Sequence, residues 1–236
     1  MKKRGVIYVV WESSGGIREG MQIPAFLERS IKSLQQYHPE LPHEVVTLPA
    51  GSQLIDKAGL YDFSPYESTL FLDADTVVLG RLDFGFEMAE RFGLACCLSE
   101  NPWQRRYVGV VGDAVEYNTG VLFFSDKAKH VFDSWKRLAP LLDSRIAYHR
   151  QGRIETAPCD DQLGFARSVE LCAFVPFVLP LNWNFRPMWH RSFFGPIKIW
   201  HGYADVPELL VQVNRYYENP GAIMQFHEMG GSTLQS

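Results

Sequence analysis

Long apolar runs are missing from this chain. No segment reaches the ~20 consecutive apolar residues that a membrane-spanning helix needs, so no transmembrane span is expected. Cysteine is scarce as well. The four cysteines (Cys96, Cys97, Cys159 and Cys172) show neither metal-ligand nor redox spacing. That argues for free thiols in a reducing cytoplasm rather than a metal cluster or a disulfide framework. Lysine and arginine form no block and the net charge is −4, which speaks against a general nucleic-acid binder. The expected location is cytoplasmic, whether free or peripheral at a membrane surface. Internal repeats, low-complexity tracts and linkers are also absent from the sequence, so one domain over residues 1–236 is expected, with Gly230–Ser236 as a flexible tail.

What is present is a substantial apolar fraction, 46% of 236 residues, enough for one sizeable core. The basic start Lys2-Lys3-Arg4 precedes Gly5 to Val10, an apolar stretch too short for a signal peptide and lacking a small-residue cleavage site. It reads as the opening of a buried strand, Gly5 to Trp11. Helix and strand then alternate. Ile23, Phe26, Leu27, Ile31 and Leu34 recur at helical spacing, Glu44 to Leu48 reads as a strand, and Gln53 to Leu60 as a short helix. Ser68 to Leu72 is the next strand, Phe84 to Phe92 a helix and Leu94 to Leu98 a strand. This rhythm predicts an α/β fold, a mostly parallel sheet with helices on both faces. Further on come a strand over 117–124, helices over 126–142 and 157–168, a strand over 170–175 and a loop over 178–195. A strand at Ile197 to Trp200 and a helix at Asp205 to Tyr217 close the chain.

The most informative run is Phe71-Leu72-Asp73-Ala74-Asp75-Thr76. Carboxylates are rarely buried without a partner, yet two stand at the tip of an apolar strand. In extended D-x-D both side chains share a face, a two-oxygen grip for a hard divalent ion that can in turn hold phosphate oxygens. The competing reading is a turn whose acids cap the next element. In parallel α/β sheets ligands bind at the carboxyl ends of the strands, where Trp11, Asp73 and Asp75 fall.

Several segments, in order from about Gly5 to Tyr203, resemble a nucleotide-sugar glycosyltransferase of the GT-A fold, most closely glycosyltransferase family 8, the glycogenin and lipopolysaccharide galactosyltransferase type. Leu72-Asp73-Ala74-Asp75-Thr76 resembles the family's D-x-D. Tyr117-Asn118-Thr119-Gly120-Val121 resembles its Asn-x-Gly-Val segment facing the donor sugar, and Asp161-Gln162 its pair near the reacting carbon. Lys198-Ile199-Trp200-His201-Gly202 resembles the late strand that supplies a third metal ligand, and Lys57 stands where the family keeps a basic donor-binding residue. The resemblance implies metal ligands Asp73, Asp75 and His201, an O/N set suiting Mn²⁺ better than Mg²⁺. It implies donor contacts from Trp11, Lys57, Asp73, Ala74, Asn118, Thr119, Gly120 and Gly202, with Asp160, Asp161 and Gln162 near the chemistry. Implied partners are a nucleotide-sugar donor, a UDP-sugar by family, and a carbohydrate, lipid-linked glycan or protein hydroxyl as acceptor. Transfer of a hexose-type sugar with retention is implied too; an inverting path using Asp160 or Asp161 as base stays open. The chain departs from the family at two places: Gly202-Tyr203-Ala204-Asp205 replaces the usual lysine-bearing ending, and no tyrosine follows the first strand, where Trp11 stands as a substitute.

Each residue has a plainer reading. Trp11 fits the core, Lys57 a solvated helix, His201 a satisfied strand-end histidine, Asn118 a turn, Gly120 a bulge and Asp160 an N-cap. Trp183, Phe185, Trp189, Phe193 and Phe194 are either core or a stacking wall for acceptor sugars. Rival chemistries are a haloacid-dehalogenase-like phosphatase with Asp73 as nucleophile, a sugar nucleotidyltransferase using Ser14-Gly15-Gly16-Ile17-Arg18, and a non-catalytic nucleotide-sugar binder. Two strands precede Asp73, which counts against the phosphatase.

Overall fold

The computed structural model describes residues 2–12, 23–100, 115–143, 145–150, 152–157 and 161–229. Strand β1 (Lys2–Trp11) leads to helix α1 (Ile23–Tyr37) and β2 (His43–Leu48). A 3-10 turn, Leu54–Gly59, runs into the short helix α2 (Leu60–Phe63), followed by β3 (Tyr66–Leu72) and β4 (Thr76–Val78). Helix α3 (Asp83–Phe92), β5 (Leu94–Leu98), β6 (Tyr117–Ser125) and α4 (Lys129–Leu138) come next. The hairpin β7 (Ile146–Arg150) and β8 (Arg153–Ala157) precedes α5 (Gln162–Leu171). The last stretch holds β9 (Phe177–Val178), β10 (Ser192–Phe194), β11 (Ile199–His201), α6 (Glu208–Tyr216) and β12 (Phe226–Glu228).

The described chain gathers into two compact units. The larger contains β1, Leu41–Asp73 and Asp83–Leu179; the smaller contains α1, Ala74–Leu82 and the chain from Pro180 onward. The larger unit is built on a six-stranded sheet ordered β2-β1-β3-β6-β5-β9. β2, β1 and β3 run parallel, as do β5 and β9, while β6 runs antiparallel to both its neighbours. Every residue of β6 is buried, as a strand covered on both faces requires. Successive residues show the two faces: Phe123 meets Phe86 of α3 edge-on at 5.3 Å, and Phe124 meets Phe132 of α4 at 4.6 Å. Gly5 in β1 leaves room for the Tyr66 ring, which a Cβ there would meet at 2.4 Å.

The smaller unit has its own apolar cluster of Val77, Phe185, Phe193, Ile197, Trp200, Leu210 and Val213. β4 pairs antiparallel with β11, and β10 with β12. Polar side chains of α1 and the residue after it satisfy backbone groups of the neighbouring segment: the Val78 N–H donates to Ser33 Oγ at 2.8 Å and the Leu82 N–H to His38 Nε2 at 2.8 Å.

The predicted α/β class and both-face covering hold. Two local expectations fail. Ala157, the expected start of a helix, ends β8, and the helix runs from Gln162 to Leu171. The expected strand over 170–175 gives way to the end of that helix. Leu163, Phe165, Ala166 and Val169, all buried on α5, repeat at helical spacing and prolong it. The helix closes in a Schellman turn, with the Phe174 N–H on Val169 O at 3.0 Å and the Ala173 N–H on Glu170 O at 2.9 Å. Ala173 sits at φ 49°, a place usually taken by glycine, so the sequence carries no stop signal there. The hairpin β7–β8, the short β4, β9 and β12, and β10 within the expected loop over 178–195 were not anticipated either. The expected tail over 230–236 lies outside the described residues.

Candidate active site

In the larger unit, β3 delivers Asp73, and the Asp73 N–H reaches Gly120 O at 2.8 Å, continuing the pairing with β6 past the strand end. Lys57, from the 3-10 turn, is 2% exposed. Its Nζ lies 3.2 Å from Asp73 Oδ1 and 3.3 Å from Asp161 Oδ2, and 5.0 Å from the centre of the Phe71 ring. The Asp161 carboxylate also accepts the Thr119 hydroxyl at 2.5 Å, and its backbone carbonyl accepts Trp135 Nε1–H at 3.0 Å. Burial pulls the Lys57 ammonium down, but attraction to Asp161 and then Asp73, with hydrogen bonds to both, outweighs it and holds the group above the usual lysine range. Beside this cluster the Asn118 side chain accepts the Gly120 N–H at 3.0 Å and donates to Gln162 Oε1 at 3.1 Å.

In the smaller unit, β4 and β11 place Thr76 opposite His201, and the Gly202 N–H continues the ladder to Asp75 O at 3.0 Å. Asp75 Oδ1 then stands 3.4 Å from His201 Nε2. His201 Nδ1 meets Asn184 Oδ1 at 2.7 Å. A carbonyl oxygen only accepts, so Nδ1 carries the proton, and in the neutral ring Nε2 presents a lone pair toward a carboxylate oxygen. Two acceptors facing one another at that distance suit a cation. An imidazole oriented through its other nitrogen is a usual metal-ligand arrangement. The loop after His201 is clamped by Arg29 of α1, whose guanidinium donates to Gly202 O at 3.1 Å and Ala204 O at 3.4 Å and pairs with Asp205 at 3.2 Å. Arg29 also lies over Phe26, whose ring meets Tyr203.

The structure thus brings Lys57, Asp73, Asn118, Thr119, Gly120, Asp161 and Gln162 together in one unit, and Asp75, His201 and Gly202 in the other. Ala74 is the first residue after the boundary. Lys57 is buried within an ion cluster, unlike a solvated helix residue. Trp11 ends β1 packed against the larger core. Asp160 and Cys159 lie outside the described residues; Cys96, Cys97 and Cys172 are free thiols. The aromatic group divides: Trp183, Phe185 and Phe193 are core, whereas Trp189 and Phe194 are exposed. Sequence reasoning missed Asn184 and Arg29, because neither stands at a spacing that ties it to His201.

No protein-family model matches the sequence, and no curated protein matches it. Solved structures do. A galactosyltransferase, LgtC, in complex with donor and acceptor sugar analogues matches over 85% of this chain and 87% of its own, with 13% identity and a TM-score of 0.56. Mouse xyloside xylosyltransferase 1 matches over 87% of this chain and 100% of its own, with 14% identity and a TM-score of 0.51. The glycosyltransferase GlyE of Streptococcus pneumoniae TIGR4 aligns with 79% of this chain at 16% identity and a TM-score of 0.48; this chain spans 47% of that protein. The fold is that of the GT-A glycosyltransferases. No described helix is long and apolar enough to cross a membrane.

Proposed function

We propose that this protein is a glycosyltransferase that moves a hexose-type sugar from a nucleoside diphosphate sugar, with UDP as the nucleotide, to an acceptor hydroxyl. The observation that carries this reading is the oriented pair of Asp75 and His201, with Asp75 two residues along the chain from Asp73, on a fold shared with solved glycosyltransferases. Asp73, Asp75 and His201 would together hold one divalent ion, Mn²⁺ before Mg²⁺. When bound, the ion supplies Lewis-acid stabilisation of the departing diphosphate.

The chain's own residues do the rest. Lys57 is too buried to meet a donor directly; it fixes the Asp73 carboxylate and is itself fixed by Asp161. Asp161 therefore acts as a positioning residue, locked by Lys57 and Thr119. Gln162, held by Asn118 at the start of α5, is the group that faces the sugar carbon as its bond to the β-phosphate breaks. An amide oxygen there stabilises positive charge developing on that carbon. With retention, the acceptor oxygen joins the face the phosphate leaves, and its proton passes to the departing phosphate oxygen. The likeness of the fold to solved glycosyltransferases gives the aspartyl-nucleophile phosphatase reading no support.

A donor panel of UDP- and GDP-sugars, each with Mn²⁺, Mg²⁺ or EDTA, tests the reading through release of nucleoside diphosphate. Metal-dependent release from a nucleotide sugar is expected. Release of inorganic phosphate from phosphomonoesters, or nucleotide-sugar binding with no turnover in any metal, overturns it.

A further inference from the structure

A cavity of about 570 Å³ opens in the smaller unit, a volume in the range of small-molecule sites. Its wall is formed chiefly by Leu181, Trp183, Phe194, Met224 and Phe226, with Lys198 supplying the charge. The pairing of β10 with β12 accounts for that wall. Phe193 and His227 oppose one another on the inner face and stack, with Phe193 3% exposed. Phe194 and Phe226 turn outward instead, 59% and 57% exposed, and meet at 5.5 Å. Outward aromatic rings left this open on a two-stranded antiparallel ribbon, with Met224 60% exposed beside them, form an apolar patch that water does not favour.

The lining says what chemistry fits. Asn182 has its amide nitrogen on Phe194 O at 2.6 Å and Pro196 O at 2.9 Å, so it braces the wall. A sugar ring needs several hydrogen-bonding partners, and this wall is overwhelmingly hydrocarbon. Its position says what the occupant belongs to. Trp183 is followed in the chain by Asn184, which orients His201. Lys198 precedes β11, whose last residue is His201. Three residues of strand span about 10 Å, the length of a sugar unit or two.

We propose that this cavity binds the apolar chain of an amphiphilic acceptor, an alkyl- or prenyl-linked glycan whose sugar hydroxyl receives the transferred residue near His201. The proposal rests on the transfer reading above and narrows it to a lipid-type acceptor. It is tested with the full chain in two arms. In the first, fluorescence of N-phenyl-1-naphthylamine reports occupancy, and n-alkyl β-D-galactosides from ethyl to octyl, below their micellar concentrations, displace it. The half-displacing concentration should fall with each methylene, by up to about fourfold, the change that ~0.8 kcal/mol per buried CH₂ corresponds to. In Phe194→Ser/Phe226→Ser, both surface changes, the chain-length dependence should flatten; Leu181→Ser is the second variant should the two-stranded ribbon not tolerate the pair. In the second arm, with whichever donor the panel identifies, KM for the alkyl acceptors should fall with chain length while kcat stays level.

Equal potency of ethyl and octyl glycosides, or unchanged probe uptake in the variants, overturns the proposal. So does a concentration-dependent dimer that the probe dissociates, or uptake that rises sharply when residues 230–236 are deleted, since a second copy or the chain's own end would then be the occupant. If no nucleotide sugar is turned over, the transfer reading fails on its own, and the probe arm still decides what the cavity binds.

Discussion

The larger unit holds a charge cluster centred on a buried ammonium, and the smaller unit holds one in which a carboxylate faces an imidazole. Around Lys57, both carboxylates and a hydroxyl already point inward and the ammonium is almost wholly buried. Around His201, the carboxylate of Asp75 faces Nε2 of an imidazole whose Nδ1 is held by Asn184. Removing one partner from a closed buried cluster strands a charge, so its energy appears as stability. A carboxylate and an imidazole oriented through its far nitrogen form a metal-ligand type of arrangement, whose loss shows first in ligand affinity. The same residue type thus does different work, depending on whether a lysine or an imidazole faces it.

The sharpest way to break this contrast is Lys57→Met. It leaves Asp161 buried without its cation and should destabilise the fold by about 3–5 kcal/mol, read as a lowered urea midpoint. The pH dependence has a definite sign. The folded-state pKa of Lys57 lies above its ordinary 10.5, so its contribution is whole below that value and fades as pH climbs through the higher folded one. The gap in midpoint between native protein and Lys57→Met should narrow in strongly alkaline buffer. A gap undiminished there would contradict the assignment.

Next comes Asp75→Ala, which should cut metal-dependent turnover by roughly 10²–10³-fold with little change in melting temperature. Loss of stability comparable to Lys57→Met would erase the distinction between the two clusters. Asn184→Ala should be milder, with metal affinity falling about 10–100-fold, measured by manganese titration. Its effect should be recovered in part at higher metal concentration, which a purely structural defect would not allow. The smallest effect lies away from both clusters. Ala173→Gly relieves the left-handed backbone at the end of α5 and should stabilise the larger unit by about 0.5–1 kcal/mol. A destabilising result would mean that the Schellman turn is not the energetic stop of that helix.

Much of this was legible in the chain. The apolar run Ser68 to Leu72 ending in Asp73 announced both strand and acids, because a buried strand is apolar along its length whatever it pairs with. Lys57, Asn118, Thr119, Asp161 and Gln162 were named from a resemblance in motif order, and they do meet in one unit. What they do there was not legible. Lys57 appeared as a donor contact or a solvated residue, and the fold makes it the buried centre of an ion cluster. The direction of β6 escaped because periodicity reports burial and is blind to strand polarity. The end of α5 escaped because alanine occupies a position where glycine would have marked the stop. Asn184 and Arg29 escaped because each meets the His201 segment by a contact far apart in sequence.

The sequence by itself determined which stretches bury themselves and where carboxylates interrupt them, since hydrophobic transfer and carboxylate desolvation are local costs carried by each residue. Only the tertiary structure decided which acid meets an ammonium and which meets an imidazole. That choice depends on strand pairing between distant segments, and electrostatic energy falls off over a few ångströms that no spacing along a chain can specify.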